Sequence, residues 1–123
     1  MQILLLEKDK VVRDQILVGL QNFPDFAVEC GEGYRGLSKT RSRSYDCLII
    51  GCNGDDEEGF ELLESFREYD RSTDVVFVTN FKKGKVIMSK RSKYNIFSVL
   101  HVPIEPAELL RPVGRLRRRQ VAS

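Results

Sequence analysis

The stretch Tyr45-Asp46-Cys47-Leu48-Ile49-Ile50-Gly51, followed at residue 59 by Gly59-Phe60-Glu61-Leu62-Leu63, decides the fold. A turn-like start opens an unbroken apolar run without polar alternation, the pattern of a parallel strand buried on both faces. Gly51 stands directly at the carboxyl end of that run. Beyond it a loop leads to an amphipathic helix predicted from about Glu57 to Tyr69, with Phe60, Leu63 and Phe66 facing inward. Strand, loop and helix in this order form one unit of an α/β layer.

The alternation continues along the chain: five apolar runs and five amphipathic ones, with no internal sequence repeat. Gln2-Ile3-Leu4-Leu5-Leu6 is the first strand, and a helix capped by Asp9 follows, with Val12, Ile16 and Leu20 on one face and an end near Asn22-Phe23-Pro24. Strand two is predicted at Phe26-Ala27-Val28-Glu29-Cys30 and helix two at Tyr34 to Arg43. Strand four, Asp74-Val75-Val76-Phe77-Val78, ends in Thr79. Helix four, from about Lys82 to Lys93, has little to bury beyond Val86, Ile87 and Met88. Helix five opens at Glu105-Pro106, proline being tolerated in a first turn, and buries Leu109, Val113 and Leu116. The fold expected is a doubly wound, five-stranded parallel sheet with helices on both faces.

At 123 residues, 41% hydrophobic and 31% charged, the chain fits a single domain, 1–123, with one well-formed core. No apolar run reaches bilayer length, and the start runs into acidic Glu7 without a basic leader, so a cytoplasmic protein without a signal peptide is expected. Cys30, Cys47 and Cys52 form neither a disulfide framework nor a metal-like spacing.

Strand three, its loop and the Gly-Phe-Glu-Leu-Leu helix resemble the phosphoacceptor segment of response-regulator receiver domains, a flavodoxin-like fold, and the resemblance extends from Gln2 to about Leu116. It implies an aspartate nucleophile at the position of Gly51. It implies a pair of metal-binding acids at Glu7-Lys8-Asp9, where Glu7 keeps the first and Lys8 replaces the second. Thr79 matches the hydroxyl residue that senses the phosphoryl group. Val99-Leu100-His101-Val102-Pro103-Ile104 is similar to the aromatic-X-X-Lys-Pro-Phe signature, with Val102 in the lysine place, Val99 in the aromatic place, and Pro103 implied to follow a cis bond.

Phosphoryl transfer needs an attacking carboxylate, a divalent cation to gather the phosphate oxygens and a fixed cation for the developing charge. Gly51 has nothing to attack with, Lys8 competes with a hard dication for its site, and Val102 carries no charge. The three losses fall at separate strand ends and remove different chemical roles. The expectation is a pseudo-receiver, a non-enzymatic signalling module working through protein contacts without cofactor or metal, alone or as the first part of a longer regulator. A working phosphoacceptor receiver is the alternative, and no one-residue shift supplies its carboxylate because Ile50 and Cys52 flank Gly51.

Plainer roles are expected for the remaining polar residues. Asp55 and Asp56 cap a helix start, and Glu7 pairs with Lys8 or Lys10. Thr79 makes a local hydrogen bond, Cys52 is an inert thiol, and His101 is a satisfied strand-end side chain. Asp55, Asp56, Glu57, Glu58, Glu61 and Glu64 form an acidic pole, while Lys82, Lys83, Lys85, Lys90, Arg91 and Lys93 form a basic one. The resemblance implies that helix four, strand five and helix five meet partners. Those lysines and arginines, with Val99, Arg111 and Arg115, are therefore the candidate contacts for an acidic protein or a second copy of the chain. The basic end at 115–119 reads as a solvated helix end or linker start. A nucleic-acid-binding protein using helix four and this tail is a further alternative, disfavoured by sparse aromatics there, with Tyr94 alone nearby. A flavodoxin-like cofactor enzyme lacks a glycine-rich phosphate loop after strand one.

Overall fold

The structure, a computed structural model, describes residues 1–52, 58–80, 85–86 and 88–122. Five parallel strands, β1 Gln2–Leu6, β2 Ala27–Gly31, β3 Cys47–Cys52, β4 Asp74–Thr79 and β5 Ile96–His101, form one sheet in the order β2-β1-β3-β4-β5. β1, β3 and β4 lie inside the sheet, which is why they are apolar between their ends whereas β2, at one edge, is half exposed. The doubly wound fold expected from the sequence is present.

Side chains alternate across the sheet and divide the core into two layers. Ile3, Leu5, Ile49, Val76 and Val78 pack under α1 Lys10–Leu20 and α5 Leu110–Ala122. Leu4, Leu48, Ile50 and Phe77 pack under α2 Gly33–Leu37 and α4 Glu58–Tyr69. Asp9 caps α1, accepting from the N–H groups of Val11 (2.9 Å) and Val12 (3.2 Å). Val12, Ile16 and Leu20 are buried on one face, as the spacing predicts.

The structure corrects the sequence reading at several points. β3 runs through Gly51 and Cys52, which pair with Val78 and Thr79, so Gly51 lies within the strand and not just beyond it. Helix two is two short helices, α2 and α3 Lys39–Ser42, parted at Ser38, whose hydroxyl donates to the Arg35 carbonyl (2.6 Å) and competes with continuous helix. In α4 Phe60 is only partly buried, while Leu62 and Arg67 are buried beside Leu63 and Phe66. Of helix four, residues 85–86 and 88–89 are helical, and Lys90 to Asn95 form turns, not helix. The fifth helix begins as a 3-10 turn, Pro106–Leu109. Pro112 explains this, since it lacks an N–H and its ring would clash with the Glu108 carbonyl in a continuous α-helix. No helix among the described residues is long and apolar enough to cross a membrane.

Candidate functional site

In a doubly wound sheet, ligand chemistry collects at the carboxyl ends of the strands. Here β1 delivers Glu7, β3 delivers Gly51 and Cys52, β4 delivers Thr79, and β5 leads to the Val102–Pro103 bond, which is cis as expected. The ends are held in register: Cys52 lies beside Thr79, Thr79 beside His101, and the Val102 N–H donates to the Thr79 carbonyl at 2.9 Å.

Glu7 is 3% exposed, and its Oε1 accepts from the Asp9 N–H at 3.1 Å. Its Oε2 lies 1.6 Å from where a β-carbon on residue 51 would sit. The Glu7 carboxylate thus occupies the space of any side chain at position 51. The start of α4 closes over the same point: a β-carbon on Gly59 would lie 2.1 Å from the Gly51 carbonyl oxygen and 2.7 Å from the Cys52 β-carbon. Glycine at 59 is what lets the helix sit against the strand.

Lys8 turns outward across this closure and its ammonium reaches Glu58 at 3.5 Å. The cavity left between Leu6, Glu7, Lys8, Gly51, Glu58 and Gly59 is about 20 Å³, room for roughly one water. A magnesium ion keeps several waters and demands octahedral oxygen ligands. Neither the volume nor an ammonium in the second acidic position fits it. Among the described residues no group of three or more His, Cys, Asp and Glu side chains is arranged to hold a metal ion.

Glu7, Lys8 and Gly51 therefore come together, while Asp9 is given to the helix cap. Thr79 is fully buried, and among the described residues its hydroxyl has no hydrogen-bond partner, contrary to the local bond expected of it. Cys52 is 2% exposed, and burial pushes the thiol of Cys47 well above its ordinary range. Asp55 and Asp56, the predicted caps, lie outside the described residues, as do Lys82 and Lys83.

The predicted partner face is less free than its composition suggests. Lys85, Arg111 and Arg115 are exposed. The ammonium of Lys90 sits 4.7 Å from the centre of the Phe60 ring, and that of Lys93 5.4 Å from the Tyr94 ring. Arg91 is committed to backbone: its Nε donates to the Ile96 carbonyl at 3.1 Å and its Nη2 to that of Phe97. Val99 is partly buried against the core.

Two arrangements escape sequence reasoning. Arg67, 2% exposed, donates to the carbonyls of Tyr94 (2.6 Å), Thr73 (2.8 Å), Asn95 (2.9 Å) and Asp70 (3.0 Å), fastening the chain before β5 to α4. The basic end is a helix end with Arg115, Arg117, Arg118 and Arg119 all exposed, as one of the two readings had it, but its arginines have partners: Arg115 and Arg119 lie over the Phe97 ring, Arg119 pairs with Asp74 (3.3 Å) and Arg117 with Asp25 (3.0 Å). Helical spacing alone flags the first, since position 67 falls on the buried face with Leu63 and Phe66; nothing local flags the distant partners of the second.

Comparison with solved structures finds the same architecture in receiver domains. The response regulatory domain of protein mrkE from Klebsiella pneumoniae superposes with a TM-score of 0.82 at 12% identity, covering 100% of both chains. The REC domain of AraT, a response regulator from Geobacillus stearothermophilus, gives 0.79 at 15% identity, covering 98% of this chain and 95% of that one. Vibrio cholerae chemotaxis protein CheY4 gives 0.77 at 20% identity, covering 94% and 97%. No protein-family model matches the chain, and no curated protein matches it in sequence. The likeness establishes the receiver fold.

Proposed function

We propose that this chain is a pseudo-receiver, a cytoplasmic signalling module that is not itself an enzyme and acts through protein contacts without aspartyl phosphorylation. The observation that carries the reading is the Glu7 carboxylate standing over Gly51, with Oε2 1.6 Å from the β-carbon position. An acceptor side chain is absent at 51, and its space is filled by a residue that in receivers would hold the metal.

The neighbouring residues point the same way. Lys8 pairs with Glu58 across the entrance, the remaining cavity is about 20 Å³, and Val102 next to the cis bond carries no charge for a phosphoryl oxygen. A redox role for Cys52, the cysteine beside Gly51, finds little support, because its thiol is buried at the end of β3. The test is amide NMR during titration with beryllofluoride and magnesium. Shifts should stay unchanged around residues 7, 51 and 79, and saturable shifts there would overturn the proposal.

A further inference from the structure

Two helix faces on opposite sides of the sheet carry opposite charge at the same spacing. On α4, Glu61, Glu64 and Glu68 are exposed in one stripe; on α5, Arg111, Arg115 and Arg118 are exposed in another. Read from its carboxyl end, the acidic stripe steps back by four and then three residues, and the basic stripe steps forward by four and then three. In an antiparallel alignment Glu68 opposes Arg111, Glu64 opposes Arg115 and Glu61 opposes Arg118. The same register brings Leu110, 42% exposed, to the end of α4 at Tyr69, whose ring carries the Arg41 guanidinium at 4.1 Å. Among the described residues none of the six charged groups makes an ion pair within its own chain.

We propose that the acidic face of α4 docks on the basic face of α5 of a second copy of this chain, in a head-to-tail contact. The occupant is identified by charge complementarity and matched spacing. A two-fold contact through α5 alone would set arginines against arginines, and one through α4 would set glutamates against glutamates, so symmetry of that kind is disfavoured. α4 and α5 cover opposite faces of the sheet, so one molecule cannot satisfy both stripes itself. Beside Arg111 and Arg115, a groove of about 450 Å³ lined by Leu100, Ala107 and Pro112 offers apolar surface for the incoming helix. Glu108, which borders it, is turned back to the Glu105 N–H at 3.3 Å. A head-to-tail contact leaves one stripe open at each end, so association proceeds to rings or short filaments. The contact does not depend on the pocket at Gly51 and stands whether or not the chain accepts a phosphoryl group.

The test is sedimentation velocity of the full chain over a range of concentrations, at about 0.05 M and about 0.5 M salt, which bracket weak and strong screening. Wild type should gain mass with concentration at low salt, and the association should weaken at least about tenfold at high salt. One variant, Arg111→Glu with Arg118→Glu, loses the basic stripe; a second, Glu64→Lys with Glu68→Lys, loses the acidic one. Each alone should stay monomeric with an unchanged far-UV spectrum, and an equal mixture should form a one-to-one dimer that grows no further, because each supplies the intact half the other lacks. Wild type that stays monomeric at low salt overturns the proposal, as does association that persists in either variant or ignores salt. Should a variant misfold, the salt response of the wild type and single substitutions at Glu64 and Arg111 still decide the matter.

Discussion

The Glu7 carboxylate fills the space that a side chain on Gly51 would occupy, 1.6 Å from the β-carbon position. The far end of a flexible side chain can yield, whereas the obstruction at Gly59 is the Gly51 carbonyl and the Cys52 β-carbon. Gly51→Ala should therefore cost about 1–2 kcal/mol, the expense of relocating a buried carboxylate. Gly59→Ala should cost more, about 3 kcal/mol, because backbone and not the end of a side chain stands in the way. Urea unfolding of both variants and of Glu7→Ala/Gly51→Ala checks this. The double substitution should be closer to Glu7→Ala alone than additivity predicts.

The same geometry bears on supplying a carboxylate at position 51. Gly51→Asp places a second carboxylate against Glu7, beside Lys8 and without room for a hydrated ion. Incubation with acetyl phosphate and magnesium, followed by intact-mass measurement, should show no phosphorylated species for Gly51→Asp. A stoichiometric mass gain would show that the ion pair of Lys8 with Glu58 opens readily.

What was legible in the sequence and what was not divides along physical lines. Strands β1, β3 and β4 were legible because burial on both faces forces continuous apolar runs, and α1 because Asp9, Val12, Ile16 and Leu20 give both a cap and a stripe. The gathering of Glu7, Lys8 and Gly51 followed from their places at strand ends. That Glu7 would lie over Gly51, and that Lys8 would reach Glu58, depended on side-chain direction, which strand order does not fix. The commitment of Arg67 and Arg91 to backbone carbonyls was hidden because their partners, in the turn at Tyr94 and Asn95 and at the start of the edge strand β5, are main-chain groups that carry no sequence signature.

Arg67 is the buried cation with the most to lose. Its guanidinium satisfies carbonyls of Asp70, Thr73, Tyr94 and Asn95 in a planar fork that an ammonium does not reproduce. Arg67→Lys should destabilise the chain by about 3 kcal/mol, because several buried acceptors lose their donors together. Faster amide exchange at Tyr94 to Ile96 in this variant would locate the loss; an unchanged unfolding midpoint would show that water replaces the fork.

Asp70 provides the expected acid sensitivity. Partial burial pushes its pKa up, but hydrogen bonds from the Thr73 hydroxyl and from the Thr73 and Ser72 N–H groups, with Arg67 alongside, outweigh it and hold the carboxyl below its ordinary range. A group depressed in the folded state stabilises fully above its unfolded pKa of about 4 and loses that contribution as pH falls through the folded value. The thermal midpoint should decline below about pH 4, and Asp70→Asn should decline less steeply over the same range. Parallel pH profiles for the two proteins would remove Asp70 from the account.

Lys85 and Arg91 belong to the same basic pole in sequence and differ in what they do. Lys85 is exposed, whereas Arg91 ties its guanidinium to the Ile96 and Phe97 carbonyls of β5, the edge strand. Lys85→Glu should change stability by no more than about 0.5 kcal/mol, whereas Arg91→Glu removes these bonds and sets a carboxylate against carbonyl oxygens, costing about 2 kcal/mol or more. The difference decides how a binding face is to be probed. Loss of partner capture in Arg91→Glu would mix a loosened edge with a lost contact, while in Lys85→Glu it would report the surface alone. Thermal unfolding of both variants beside pull-down at two salt concentrations separates the cases. If Lys85→Glu captures partners as the wild type does while Arg91→Glu fails and melts early, the face acts through the shape of β5 and not through its charge.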